Sequence, residues 1–306
     1  MDTHPLQLHH DVAAALARQQ PVVALESTVI THGLPYPANL ETALAMEEAV
    51  RVGGALPATV AILGGQIHVG LSPAQLEYLA TRPAESVRKC SRRDLPLAVA
   101  RREDAATTVA GTMIVASRAG IDVFATGGIG GVHRGHPFDV SADLNELGRT
   151  PVAVVCSGAK SILDLPLTRE VLETNGVAVI GFGTDELPAF FSRRSGLPVD
   201  ARMDTAEEVA AVIAARRSLD LHSGILVTVP VPEEAAFEDA TAEALIVQAT
   251  AEADAAGIHG AAATPWLLQR VAELSEGRSV RANVALLQNN GTIAAAIAAA
   301  LTGQDN

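Results

Sequence analysis

The groups in this chain best suited to chemistry stand just past short apolar runs. Val22-Val23-Ala24-Leu25 ends on Glu26, and Val152-Ala153-Val154-Val155-Cys156 is followed four residues on by Lys160. A carboxylate at the mouth of an apolar strand is partly desolvated, which favours its protonated form and suits it to proton transfer. A lysine in the same setting, preceded by Ser157, Gly158 and Ala159, suits an amine that attacks a carbonyl carbon and forms a Schiff base. Both residues also have plainer roles. Glu26 reads equally as a turn cap or the partner of a core arginine, and Lys160 as a solvated side chain or the partner of Asp164.

Three more segments carry groups suited to ions. Lys89-Cys90-Ser91-Arg92-Arg93-Asp94 is the densest cationic patch in an acidic chain, a phosphate clamp or a solvated turn. Phe124-Ala125-Thr126 runs into a loop, Gly127 to Gly135, whose glycines let backbone N–H groups approach an anion, with His133 and Arg134 beside them. Its spacing matches neither the P-loop nor the dinucleotide fingerprint. In Phe138-Asp139-Val140-Ser141-Ala142-Asp143 two carboxylates stand four residues apart. Such hard oxygen ligands suit Mg or Mn, while the same residues also read as a helix start with Asp139 or Ser141 as N-cap.

Bringing these groups together requires strands that end at one edge of a sheet, where open α/β sheets hold their ligands. Short β-branched runs alternate with Ala-rich segments of helical period, so the expected class is α/β, a layered α/β/α fold around a large, mostly parallel or mixed sheet. Strands are expected at Val22–Ser27, Thr59–Leu63, Ile67–Gly70, Val123–Thr126, Val152–Cys156, Val177–Gly181 and Gly224–Val229. Helices are expected at Asp11–Gln19, Asn39–Val52, Pro73–Tyr78, Thr107–Ala119 and Thr168–Asn175, then at Ala206–Arg217, Glu234–Ala256, Pro265–Leu274 and Val280–Ala300. No linker or repeat divides residues 1–306, which are expected to form one domain.

Composition narrows the function. A formal net charge of −13 disfavours a nucleic-acid polymer as partner, whereas a small anion needs only a few local cations. With 48% hydrophobic and 3% aromatic residues, the core must be Ala, Val, Leu and Ile. Cys90 and Cys156 lie far apart without disulfide or zinc spacing, which fits a reducing cytoplasm. Charges or glycines break every long apolar stretch, and no signal-like run opens the chain, so a soluble cytoplasmic protein without a membrane is expected.

Together, LESTVITHGLPYPAN, ATVAILGGQIHVGL, KCSRRDL, ATGGIGGVHRG, FDVSADLNEL and CSGAKSILDLPLTREVLETNGV resemble, in order, the pseudouridine-5'-phosphate glycosidase family, which includes indigoidine synthase A-like proteins. The resemblance implies an α/β/α fold, bound Mn2+, a homotrimer, and reversible conversion of pseudouridine 5'-phosphate and water to uracil and ribose 5-phosphate. It makes Lys160 the nucleophile that forms an imine with the opened ribose, and Glu26 the proton donor. Lys89, the backbone at Val109, Thr126, His133, Ser141, Ala142, Asp143 and Asn283 match substrate-binding positions, and Asp139 matches the metal ligand. Two departures stand out: a shorter loop over His133–Phe138, and Val229 where the family often has Asn.

The chemistry asks for such a set. Two carboxylates suffice for an ordinary glycosidase, but a carbon leaving group has no lone pair to protonate. An amine that becomes an imine supplies the missing electron sink, and an acid delivers the proton to the departing ring. Competing readings are a Schiff-base aldolase, disfavoured because no eightfold βα pattern is present, and a sugar-phosphate sensor, which would not need a reactive amine. An accessory role in the indigoidine pathway would use the same chemistry.

Overall fold

A computed structural model describes residues 6–258 and 263–304. The first half of the chain alternates β1 (Leu6–Leu8), α1 (His10–Ala17), β2 (Val22–Leu25), α2 (Thr28–Thr31), α3 (Ala38–Val52), β3 (Leu56–Leu63), β4 (Gln66–Val69) and α4 (Pro73–Thr81). Then come β5 (Arg88–Cys90), α5 (Leu95–Arg101), β6 (Ala105–Thr107), α6 (Val109–Ala119) and β7 (Val123–Ala125). The next stretch adds β8 (Val132–His133), β9 (His136–Val140), α7 (Ala142–Leu147), β10 (Ala153–Cys156), β11 (Leu163–Asp164) and α8 (Leu165–Thr174). β12 (Ala178–Phe182), β13 (Ala201–Met203), α9 (Ala206–Ser218), β14 (Ile225–Thr228), α10 (Asp239–Ala255), α11 (Ala263–Leu274) and α12 (Arg278–Gln304) follow.

Eleven strands form one mixed sheet. Its spine, β3-β2-β7-β10-β14-β12-β13, is parallel throughout, and β4 and β6 pair antiparallel with the outer half of the long strand β3. The expected α/β class and layered sheet are therefore what the chain adopts. Every residue of β2, β7, β10 and β14 is buried, as continuous apolar runs require when helices cover both faces. Both α6 and α12 pack on β2 and β7. A second sheet, β11-β8-β9, is a small antiparallel flap beside the first.

The seven expected strands and nine expected helices all find counterparts. The helix expected from Glu234 starts at Asp239, because a 3-10 turn over Glu233–Ala235 follows Pro232. The strands missed, β1, β5, β6, β8, β9, β11 and β13, have two to five residues and are too short to show a period. Helix α12 is long enough over Arg278–Gly303 to cross a membrane, and an 18-residue window within it has a mean hydropathy of 1.4. Half of that window is buried, and α12 packs along α3, α9 and the strands β2, β7 and β10, which is the setting of a core helix.

Candidate active site

A cleft of about 610 Å³ opens at the C-terminal ends of β2, β7 and β10. Glu26 follows β2, Thr126 follows β7, and Lys160 lies four residues beyond β10; all three line it, with Lys89, Val109, His133, Asp139, Ser141, Ala142, Asp143 and Asn283. Every site residue expected from the sequence thus faces one space.

Buried hydroxyls fix the base of this arrangement. Ser27 Oγ donates to the Val60 carbonyl at 2.7 Å and accepts the Thr107 N–H at 2.9 Å, locking the end of β2 to β3 and β6. Glu26, projecting from that end, accepts hydrogen bonds from Thr28 Oγ1 on one carboxylate oxygen and from Thr126 Oγ1 on the other. Among the described residues it caps no helix and pairs with no arginine.

The loop after β7 and the loop after β10 continue the sheet beyond its strands. Ser157 N donates to Gly127 O at 2.9 Å, Ile129 N to Gly158 O at 3.0 Å, and Lys160 N to Ile129 O at 3.0 Å. Lys160 is therefore held by its backbone at the middle of the glycine loop. Asp164, the alternative partner for its amine, instead caps α8 by accepting the Leu167 N–H at 3.0 Å. From the far side Asn290 of α12, wholly buried, donates to the Thr126 carbonyl at 2.9 Å and to Ser157 Oγ at 3.2 Å.

Asp143 ties the other end of the loop. One carboxylate oxygen accepts Ala110 N–H and the other Gly130 N–H, both at 2.9 Å, so the side chain joins the first turn of α6 to the glycine loop. It thereby positions backbone at the cleft as well as lining it. Gly130 has no room for a β-carbon, which would fall 2.6 Å from Ser141 Cβ. In the first turn of α6 the Ala110 N–H is taken by Asp143 and the Gly111 N–H by Thr108 Oγ1, which leaves the backbone at Val109, at the cleft, to meet an anion at the helix start.

The cationic patch is smaller than its composition suggests. Arg88 is paired with Glu103 at 2.5 Å, and Arg92 makes a bidentate pair with Glu146 at 2.6 Å. Arg134 pairs with Glu243 and with the carbonyls of Leu163 and Ser161 and does not line the cleft, which removes it from the anion site. Lys89, Arg92 and Arg93 line the cleft, Arg92 with its charge met by Glu146 and Arg93 largely exposed and 3.9 Å from Asp94. The chain has only two lysines, Lys89 and Lys160, and both are here. Solvent reaches Lys89 along the cleft, yet the enclosing protein, and then the charge of Lys160, lower its pKa below the usual lysine value. His133 is half-buried and lowered by desolvation, against the opposing pull of Asp139.

Metal-binding chemistry at Asp139 fits one kind of ion. Among the described residues only His9, His10 and Asp11 bring three His, Cys or carboxylate ligand atoms within 4.8 Å of one another, and that group lies outside the cleft. Asp139 thus offers a carboxylate without a protein cage, which fits a hard ion such as Mn2+ or Mg2+ that keeps several waters. Val229 is buried against the core with its N–H on the Cys156 carbonyl, and it does not line the cleft.

Sequence reasoning missed Thr28, His32, Phe190 and Asn290. His32 is lowered by burial and by Lys89, and its ring nitrogen Nδ1 lies 2.5 Å from Thr31 Oγ1. Two signals were present: the amide run Gln288-Asn289-Asn290 in an otherwise apolar part of α12, and the scarcity of lysine.

Comparison with known proteins gives a consistent picture. The family model described as indigoidine synthase A like protein matches residues 11–300. The pseudouridine-5'-phosphate glycosidase of Herpetosiphon aurantiacus is 57% identical over 97% of this chain and 98% of its own. That of Caldanaerobacter subterraneus subsp. tengcongensis is 54% identical over 97% and 96%. Among solved structures, the prealnumycin C-glycosynthase AlnA in complex with ribulose 5-phosphate superposes with a TM-score of 0.90 at 42% identity, covering 98% of both chains. An indigoidine synthase A-like protein from Thermotoga maritima gives 0.88 at 36% identity over 99% of both.

Proposed function

Because the chain belongs to the indigoidine synthase A-like family, we propose that it is a pseudouridine-5'-phosphate glycosidase working through Lys160 and Glu26. It cleaves the carbon–carbon glycosidic bond of pseudouridine 5'-phosphate reversibly, giving uracil and ribose 5-phosphate. The observation that carries the residue roles is the seating of a lysine and a doubly held carboxylate in one cleft, on the loops that flank the glycine loop of β7.

The Lys160 amine bonds to carbon 1 of the ribose as the ring oxygen leaves that carbon and takes a proton. The nitrogen lone pair then forms the imine while the bond to uracil carbon 5 breaks, and Glu26 protonates the electron pair left on that carbon. Water hydrolyses the imine, frees Lys160 and releases ribose 5-phosphate. Thr28 and Thr126 hold the Glu26 carboxyl in both states, since each hydroxyl donates to the carboxylate or accepts from the acid.

The phosphate binds where the first turn of α6, Gly130, Ser141, Ala142 and Lys89 converge, supplying binding energy remote from the reacting carbon. Asn283 and His133 complete the substrate contacts. Asp139 would hold Mn2+, whose charge organises water and polar groups at the site when bound. The enzyme acts as a soluble cytoplasmic homotrimer.

The test is direct. Purified protein with manganese and pseudouridine 5'-phosphate should release uracil, followed by chromatography. Folded protein that releases none would refute the assignment.

A further inference from the structure

Phe190 has a backbone that its side chain does not favour. It sits in the tight turn Ala189-Phe190-Phe191-Ser192, closed by Ala189 N to Ser192 O at 3.0 Å, with φ at +64°. That position calls for glycine, and a bulky residue there is a strained exception that points to a use for the ring. The ring is 3% exposed and lines the cleft. Its Cδ2 and Cε2 atoms stand 2.7 Å from where a β-carbon on Gly128 would be, so glycine there is what lets the ring in. Phe190 N–H donates to the Ser157 carbonyl at 3.1 Å, and Phe191 packs against the ring with centroids 4.7 Å apart.

Neighbours along the glycine loop order the subsites. Gly130, at one end, abuts Ser141 and Asp143. Ile129, in the middle, holds Lys160. Gly127 and Gly128, at the other end, abut Asn283, Leu287 and Phe190, and they follow Thr126, which holds Glu26. Resting on the reading of the reaction above, phosphate, carbon 1 and the departing base must occupy these places in that order. The base then lies at the end closed by Phe190.

We propose that Phe190 is a specificity-determining residue that sets the depth of the base subsite and restricts it to a single six-membered ring. Shortening it admits a bicyclic aromatic carbon nucleophile in the synthetic direction. There an activated ring carbon bonds to carbon 1 of ribose 5-phosphate, the ring carbon loses its proton, and one water leaves.

The test compares uracil with 1,3-dihydroxynaphthalene, each with ribose 5-phosphate, in wild-type, Phe190→Leu and Phe190→Ala proteins. The ratio of kcat/KM for the bicycle to that for uracil should rise at least about 10-fold in Phe190→Ala, the discrimination an apolar pocket wall provides, with Phe190→Leu between. A ratio within about threefold of wild type, with both rates falling together, would mean that the ring only supports the turn and would overturn the proposal. Wild-type protein that takes the bicycle as readily as uracil would overturn it too. If Phe190→Ala does not fold, Phe190→Gly, free of the strained φ, takes its place in the comparison. Wild-type turnover of uracil is the control for the reaction itself; without it the reading of the reaction fails, and this proposal with it.

Discussion

Replacing Asp143 by Asn changes almost no volume but removes one of two acceptors. The carboxylate takes two backbone N–H groups, at 2.9 Å each, in a site only 6% exposed. Hydrogen bonds to an ionised group contribute about 1.5–3 kcal/mol each, and a neutral one about 1 kcal/mol. In Asp143→Asn one neutral bond survives while an amide NH2 faces the other N–H, so the loss should be about 2–5 kcal/mol. For a chain of this size that lowers Tm by about 3–8 °C, measured by calorimetry or dye binding at fixed protein concentration. The same change frees the first turn of α6 from the glycine loop, so KM for pseudouridine 5'-phosphate should rise more than kcat falls. A variant within about 1 °C of wild type in Tm, with unchanged KM, would refute the reasoning that this side chain joins the two anion-binding backbones.

Borohydride during turnover should trap reduced ribose 5-phosphate on the peptide carrying Lys160; Lys160→Ala should abolish trapping and uracil release, and an adduct on Lys89, the other lysine, would relocate the nucleophile. Chelation should lower activity strongly and manganese restore it, with Asp139→Ala weakening the response; undiminished turnover in metal-free protein would contradict a metal at Asp139. Since the pKa of Lys89 is lowered, its charge is present below that value and lost on raising pH sooner than for an ordinary lysine, so KM should climb at a pH below the usual lysine range and Lys89→Arg should flatten the climb. An identical KM profile in the two proteins would exclude Lys89 from phosphate binding. Burial pushes both thiols up to about 12, so Cys90 and Cys156 stay protonated and should resist iodoacetamide at pH 8 until the protein unfolds; labelling of the native protein at the rate of free cysteine would contradict that burial.

Much of this fold is written in sequence pattern, because the spine strands are continuous apolar runs and the long helices carry their own period. The small flap β11-β8-β9 is not, since its strands have two to five residues each, β8 and β9 pair with an irregular register, and β11 joins β8 from about 30 residues away. At the site, Glu26, Lys160 and the glycine loop announce themselves because strand ends in an open α/β sheet converge. The supporting groups do not: Thr28 reads as an ordinary helix start, and Asn290 gains its meaning only from carbonyls and hydroxyls that the chain brings to it. Arg134 shows the opposite failure, a cation beside glycines that serves a distant carboxylate, Glu243.

Asn290 also bears on when the catalytic floor comes into being. Its amide closes contacts over 164 residues to Thr126 and over 133 to Ser157. Contacts of such separation carry a large loop entropy and form late in folding. A collapsed chain with most of its helices and strands in place, but with α12 still undocked, would have the correct residues and no set spacing between the acid and the amine. Recovery of turnover on refolding should therefore lag behind recovery of helix signal, and the enzyme's own activity becomes the most stringent clock for the last docking event.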